Sequence, residues 1–132
     1  MIFWDDLIIL FGYSHTVYYQ IEGYGSNRTL TFNFRTAKAG MSNDVYHFQA
    51  RFFERRPGAI EFHYIEAPDR GASATIGVQG NIFIMFEASI IILDFVEASP
   101  SGPAMVYSYD QMNSVTNNLT IAFNTVTNVF SG

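Results

Sequence analysis

The adjacent acids in Phe3-Trp4-Asp5-Asp6-Leu7 are the first residues of this 132-residue chain that could do chemistry. Two neighbouring carboxylates could ligate calcium, work as an acid and base pair, or bond to backbone N–H groups. Neighbouring residues on a strand point to opposite faces. A catalytic pair must flank one substrate bond, so the spacing of Asp5 and Asp6 argues against acid–base catalysis. Backbone bonding and a calcium site at Asp5 and Asp6 remain.

His15, His47 and His63 are the only histidines, and none has the spacing of a helical zinc motif. His47 and His63 lie on neighbouring strand-like runs, on the face that also carries Gln49, Arg51 and Glu61. Such a polar face is either solvated or a ligand face, and His47, Arg51 and His63 are its candidate binding residues. Zinc would need a third ligand that the sequence does not name. Ser73, Ser108 and Ser114 lack the GxSxG elbow, and Gly77 and Gly80 do not make a GxGxxG loop. Nucleophilic catalysis and dinucleotide binding have no support, and the chain reads as a non-enzyme with no cofactor beyond the calcium that Asp5 and Asp6 could take.

Composition narrows the partners. Twelve acids against seven bases give a net charge of -5, with no basic run beyond Arg55-Arg56, which leaves little to neutralise a phosphate backbone and sets nucleic acid aside. Zero cysteines remove disulfides and thiolate metal sites together. Met1 to Asp6 lacks the positive start of a signal peptide, so an export signal is expected outside this chain. The most apolar window, Ile82 to Val96, carries Glu87 and Asp94 and is shorter than the ~20 residues of a spanning helix. No transmembrane segment is expected.

The elements that must position these residues are strands. Thr16 to Ile21, Thr29 to Arg35, Val45 to Glu54, Ala59 to Ile65, Ala72 to Gln79, Met105 to Tyr109 and Asn118 to Phe123 each read as one, with a loop from Thr36 to Asp44. Leu30, Phe32 and Phe34 share a face, as do Tyr46, Phe48, Ala50 and Phe52, and Ile60, Phe62 and Tyr64. A three-residue turn ending in Gly58 would set Phe52 opposite Phe62, and its odd length joins the two apolar faces. With no helical pattern and no repeat, 1–132 is expected to be a single all-β domain, an antiparallel two-sheet β-sandwich of jelly-roll type.

The ordered set FWDDL, VYYQIEG, NRTLTFNF, YHFQARFFE, GAIEFHYIE, GASATIGVQG, VYSYDQ and NNLTIAF resembles an extracellular β-sandwich domain of secreted and cell-surface proteins. It is distantly similar to the domain of plexin-domain-containing proteins and the NIDO domain of nidogen. The resemblance implies a non-catalytic module that accompanies adhesion domains, repeats or secreted hydrolases. Such domains have strands before the tryptophan motif, so the sandwich is expected to lack its first strands or to borrow them from another chain. They also join GVQG to YSY by a short connection, whereas an apolar insertion at about 81–97 intervenes here.

Two functions follow from that resemblance. One is a surface module for adhesion, recognition or assembly, with a protein or glycan ligand and self-association through an open strand edge, sought near Phe3 or Ile82 to Phe86. The other is a carbohydrate-binding accessory domain of a secreted hydrolase, with Tyr13, Tyr24 or Tyr107 stacking on sugar rings.

Overall fold

Alternation of Leu30, Phe32 and Phe34 with Thr31, Asn33 and Arg35 gives one strand an apolar and a polar face, and a large antiparallel sheet grows outward from it. The computed structural model describes residues 2–3, 5–79 and 104–132. Its strands are β1 (Leu7–Ile8), β2 (Thr16–Glu22), β3 (Thr29–Lys38), β4 (Met41–Phe53), β5 (Ala59–Glu66), β6 (Thr75–Gln79), β7 (Ala104–Tyr109), β8 (Leu119–Asn124) and β9 (Val129–Ser131). The described residues contain no helix, and every pairing is antiparallel.

Seven strands form the large sheet in the order β1-β3-β4-β5-β8-β9, and β2 also pairs with β3. β1 meets Ala37 and Lys38, while β2 runs along Thr29 to Arg35. β4 lies along the opposite side of β3, so β1 and β2 are two pieces of one edge, separated by residues 9–15. Between β5 and β8 the chain leaves to build the second sheet, β6 with β7, and then returns beside β5.

The core lies between the two sheets. Tyr46, Phe48, Ala50, Phe62, Tyr64, Ile121 and Phe123 come from the large sheet, Ile76 and Val78 from the small one. Phe3 joins them, its ring 5.6 Å from Phe48 and 5.5 Å from Tyr46. The Tyr64 hydroxyl donates to the Ile2 carbonyl, tying the N-terminal stretch to the middle of β5. The tryptophan motif thus begins as a hydrophobic plug.

Three expectations about local structure need correction. The stretch Thr36 to Asp44 is not a loop: β3 continues to Lys38, turns at Ala39-Gly40 and reverses into β4 at Met41. Gly40 supplies the left-handed backbone at φ 81, and Thr36 and Ala37, although small, are buried. Phe52 faces Ile60, not Phe62, which pairs with Ala50. β4 stops at Phe53, so the connection has five residues; it is still odd, and the apolar faces still coincide. Lastly, β6 begins at Thr75 because Ala72 and Ala74 donate back to Asp69 and Gly71 in turns.

Gly58 fixes how the β4–β5 and β8–β9 hairpins meet. Its φ is 82, and a β-carbon there would lie 2.7 Å from Val126 Cγ2. Its carbonyl accepts both the Thr125 amide, at 2.8 Å, and the Thr125 hydroxyl, at 3.1 Å. The insertion at about 81–97 lies outside the described residues.

Candidate functional site

Asp5 and Asp6 part company immediately before β1. The Asp5 side chain is 5% exposed and reaches Lys38 Nζ at 3.0 Å. It also accepts the Ser73 hydroxyl at 2.9 Å and the Asp6 amide at 2.8 Å. Asp69, held by the turn after β5, places its own oxygen 3.2 Å from the same ammonium, and Lys38 donates to Ser73 as well. Asp6 stays exposed and contributes its backbone carbonyl, which accepts the Ala39 amide.

The electrostatics of this corner follow from the geometry. Burial works against the Asp5 charge, but Lys38, the Asp6 N–H and Ser73 outweigh it and hold the carboxyl below its usual 3.8. Lys38 is also penalised by burial, yet Asp5 and Asp69 keep it above 10.5. Its ammonium sits between two carboxylates, 3.0 Å from Asp5 and 3.2 Å from Asp69. Burial, then Asp69, pushes the neighbouring Tyr46 phenol up. Among the described residues no group of three or more His, Asp or Glu side chains could hold a metal. The corner joins the N-terminal plug, the end of β3 and the turn that launches the small sheet.

His47, Arg51 and His63 do come together, on the large-sheet face away from the core. The ladder sets Arg35 opposite His47, Asn33 opposite Gln49 and Gln49 opposite His63. His47 Nε2 donates to Asn33 Oδ1 at 2.9 Å. Arg51 donates to Gln49 Oε1 at 2.6 Å and to His63 Nδ1 at 3.3 Å. Both imidazoles lie below 6.5: burial leads in each case, helped by Arg35 at His47 and by Arg51 at His63. An open polar groove of about 370 Å³ borders this network, lined by Gln20, Glu22, Thr29, Thr31, Gln49 and Arg51.

The core-side face of the same sheet differs at its β2 end. Val17, Tyr19 and Ile21 pair with Phe34, Phe32 and Leu30 and so continue the apolar face, but they remain 44%, 66% and 58% exposed. An apolar groove of about 450 Å³ opens there, lined by Ile21, Leu30, Phe52, Ala59 and Ile60. Phe3, near which an open edge was sought, is itself buried, the edge strand β1 begins four residues later, and Ile82 to Phe86 lie outside the described residues. Of the three candidate sugar-stacking tyrosines, Tyr13 stacks on His15 and Tyr24 is fully open. Tyr107 packs edge-on against Phe130.

Lys38, Asp69 and Ser73 were not foreseen as partners of Asp5. The only sequence signal nearby was the turn Pro68-Asp69-Arg70-Gly71, which carries no hint of an ion pair 64 residues from Asp5. The model of a family described as NIDO related matches residues 1–127. No curated protein and no solved structure matches the chain. The match begins at the plug, takes in both sheets through β8 and ends just short of β9, which agrees with the order of motifs from FWDDL to NNLTIAF. This chain belongs to the NIDO-related family.

Proposed function

We propose that the protein is a non-catalytic extracellular or cell-surface module that works by contact, in adhesion, recognition or assembly, and that β2 with its apolar groove is the contact surface. One observation carries this reading: seven consecutive strand residues are all exposed, and Val17, Tyr18, Tyr19 and Ile21 are among them. A contiguous apolar patch at a sheet edge is costly to leave in water and marks a place where another surface docks. Family membership supports the extracellular setting. In this reading Asp5 is an anchor for the N-terminal plug and needs no calcium.

Beads coated with the purified chain should adhere to cells or to a protein matrix, and a folded Tyr19→Lys, Ile21→Lys variant should adhere several-fold less. Equal adhesion by both would contradict the reading. A polar ligand, such as a glycan, is favoured by the groove beside Arg51, with Tyr24 93% exposed in the turn between β2 and β3. Calorimetric titration with soluble oligosaccharides would find binding that Arg51→Ala removes, or no heat at all.

A further inference from the structure

The core-side face of the edge strand β2 is symmetric about Tyr19, with Val17 on one side and Ile21 on the other. Reading Thr16-Val17-Tyr18-Tyr19-Gln20-Ile21-Glu22 outward from Tyr19 meets Tyr18 and Gln20, then Val17 and Ile21, then Thr16 and Glu22. On that face the apolar residues fall at matching distances on either side of the centre. One side of β2 is bonded to β3, and its outer side has no strand partner among the described residues. An edge of this kind presents unpaired N–H and C=O groups to any strand of fitting pattern.

We infer that a second copy of this chain pairs with β2, antiparallel and two-fold symmetric about Tyr19, joining two large sheets into one; this rests on the contact-surface reading above. Residues opposite each other in an antiparallel pair share a face, so only registers that keep Val17, Tyr19 and Ile21 on the apolar side are allowed. Among these, the register centred on Tyr19 pairs all seven residues. Val17 then meets Ile21 of the second copy, and Tyr19 meets Tyr19, extending the aromatic contact that already joins Tyr19 to Phe32 at 6.2 Å.

Charge points to the same partner. Arg35 stands opposite Thr16 on β3, and in the two-fold register Glu22 of the second copy stands on the other side of Thr16, on the same face. The two α-carbons would be about 10 Å apart, two strand spacings, which extended arginine and glutamate side chains bridge. Neither Glu22 nor Arg35 has an ion-pair partner among the described residues. Among the described residues Arg35 is held by a 3.3 Å bond from Nε to the Ser14 hydroxyl. The symmetry supplies the complement twice.

A seven-residue ladder with its flanking groove falls at the small end of interface sizes, where association is weak and reversible. On a surface carrying many copies, such contacts gain strength through effective concentration. Sedimentation of the full chain up to several hundred micromolar should show the mass rising from 14.9 kDa towards twice that value. Glu22→Arg alone and Arg35→Glu alone should each weaken association roughly five- to thirty-fold, and the two combined should restore it. Both sites are on the sheet surface, and circular dichroism checks that each of the three variants is folded. A monomer at every concentration would overturn the inference. So would a dimer indifferent to the single reversals, or a monomer whose outward β2 amides resist exchange, which would mean that this edge is covered within one chain. Adhesion lost in Tyr19→Lys, Ile21→Lys while the wild type stays monomeric would overturn the dimer and leave the contact-surface reading standing.

Discussion

β2 and β5 have similar sequences and opposite surroundings. Both alternate, TVYYQIE against AIEFHYIE, and both place aromatic or branched residues on the core-side face. In β5, between β4 and β8, Phe62 and Tyr64 are 4% and 0% exposed, whereas in β2 Tyr19 is 66% exposed. Alternation therefore specifies a strand and its faces. Whether a face is used inside the chain or offered outside it depends on how many neighbours the strand acquires.

Substitution should expose the contrast most strongly. Phe62→Ala opens a cavity beside Phe123, 5.1 Å away, and is expected to cost about 3–5 kcal/mol in urea unfolding. Tyr19→Ala should cost within about 0.5 kcal/mol, because the isolated chain leaves that ring in water. Equal losses at the two sites would mean that β2 is covered within the monomer.

A smaller effect separates the Asp5 corner from an exposed ion pair. Lys38→Met leaves Asp5 and Asp69 facing each other without a cation, with side chains 5% and 18% exposed. Breaking a buried pair costs about 3–5 kcal/mol, and this partly open corner should lose about 1–3 kcal/mol by the same reasoning. Glu54→Gln breaks the Arg28–Glu54 pair, whose side chains are 55% and 39% exposed, and should shift stability far less, because solvent screens the pair. Urea midpoints of the two variants measure the difference.

The pH dependence is smaller still. His47 and His63 titrate below 6.5 in the folded chain, so the unfolded chain takes up protons first and stability falls as pH drops through 6.5. Asp5 lies below 3.8 and stabilises above that value, losing its contribution as pH falls through its folded pKa. Lys38 lies above 10.5, so its contribution is complete below 10.5 and is lost at higher pH. Stability should therefore be greatest between about pH 7 and 10. In His47→Gln, His63→Gln the decline between about pH 7 and 5 should flatten; an unchanged slope would remove the histidines from the explanation.

The strands β3, β4 and β5 were legible because their alternation runs long enough to outvote chance, and the parity of one turn was enough to place His47 and His63 together on the outer face. β1 and β9, with two and three residues, are too short to show a period. The Ala39-Gly40 reversal was hidden by Ser42-Asn43-Asp44, turn-like residues that bulge out of the ladder between the Lys38–Met41 and Ala37–Val45 pairs. Asp5 stood out in the sequence as an acid beside a tryptophan, but Lys38, Asp69 and Ser73 reach it through tertiary folding that no local spacing encodes. Nor does the sequence of β2 say that it would be an edge, because that depends on which strands take the other positions.

Amide hydrogen exchange of the full chain, followed across protein concentration, tests the contact role of β2 most directly. The β5 amides should be protected throughout, while the outward half of the β2 amides should exchange freely in dilute solution and gain protection as concentration rises. β2 amides protected equally at every concentration, or exposed at every concentration, would contradict self-pairing at this edge.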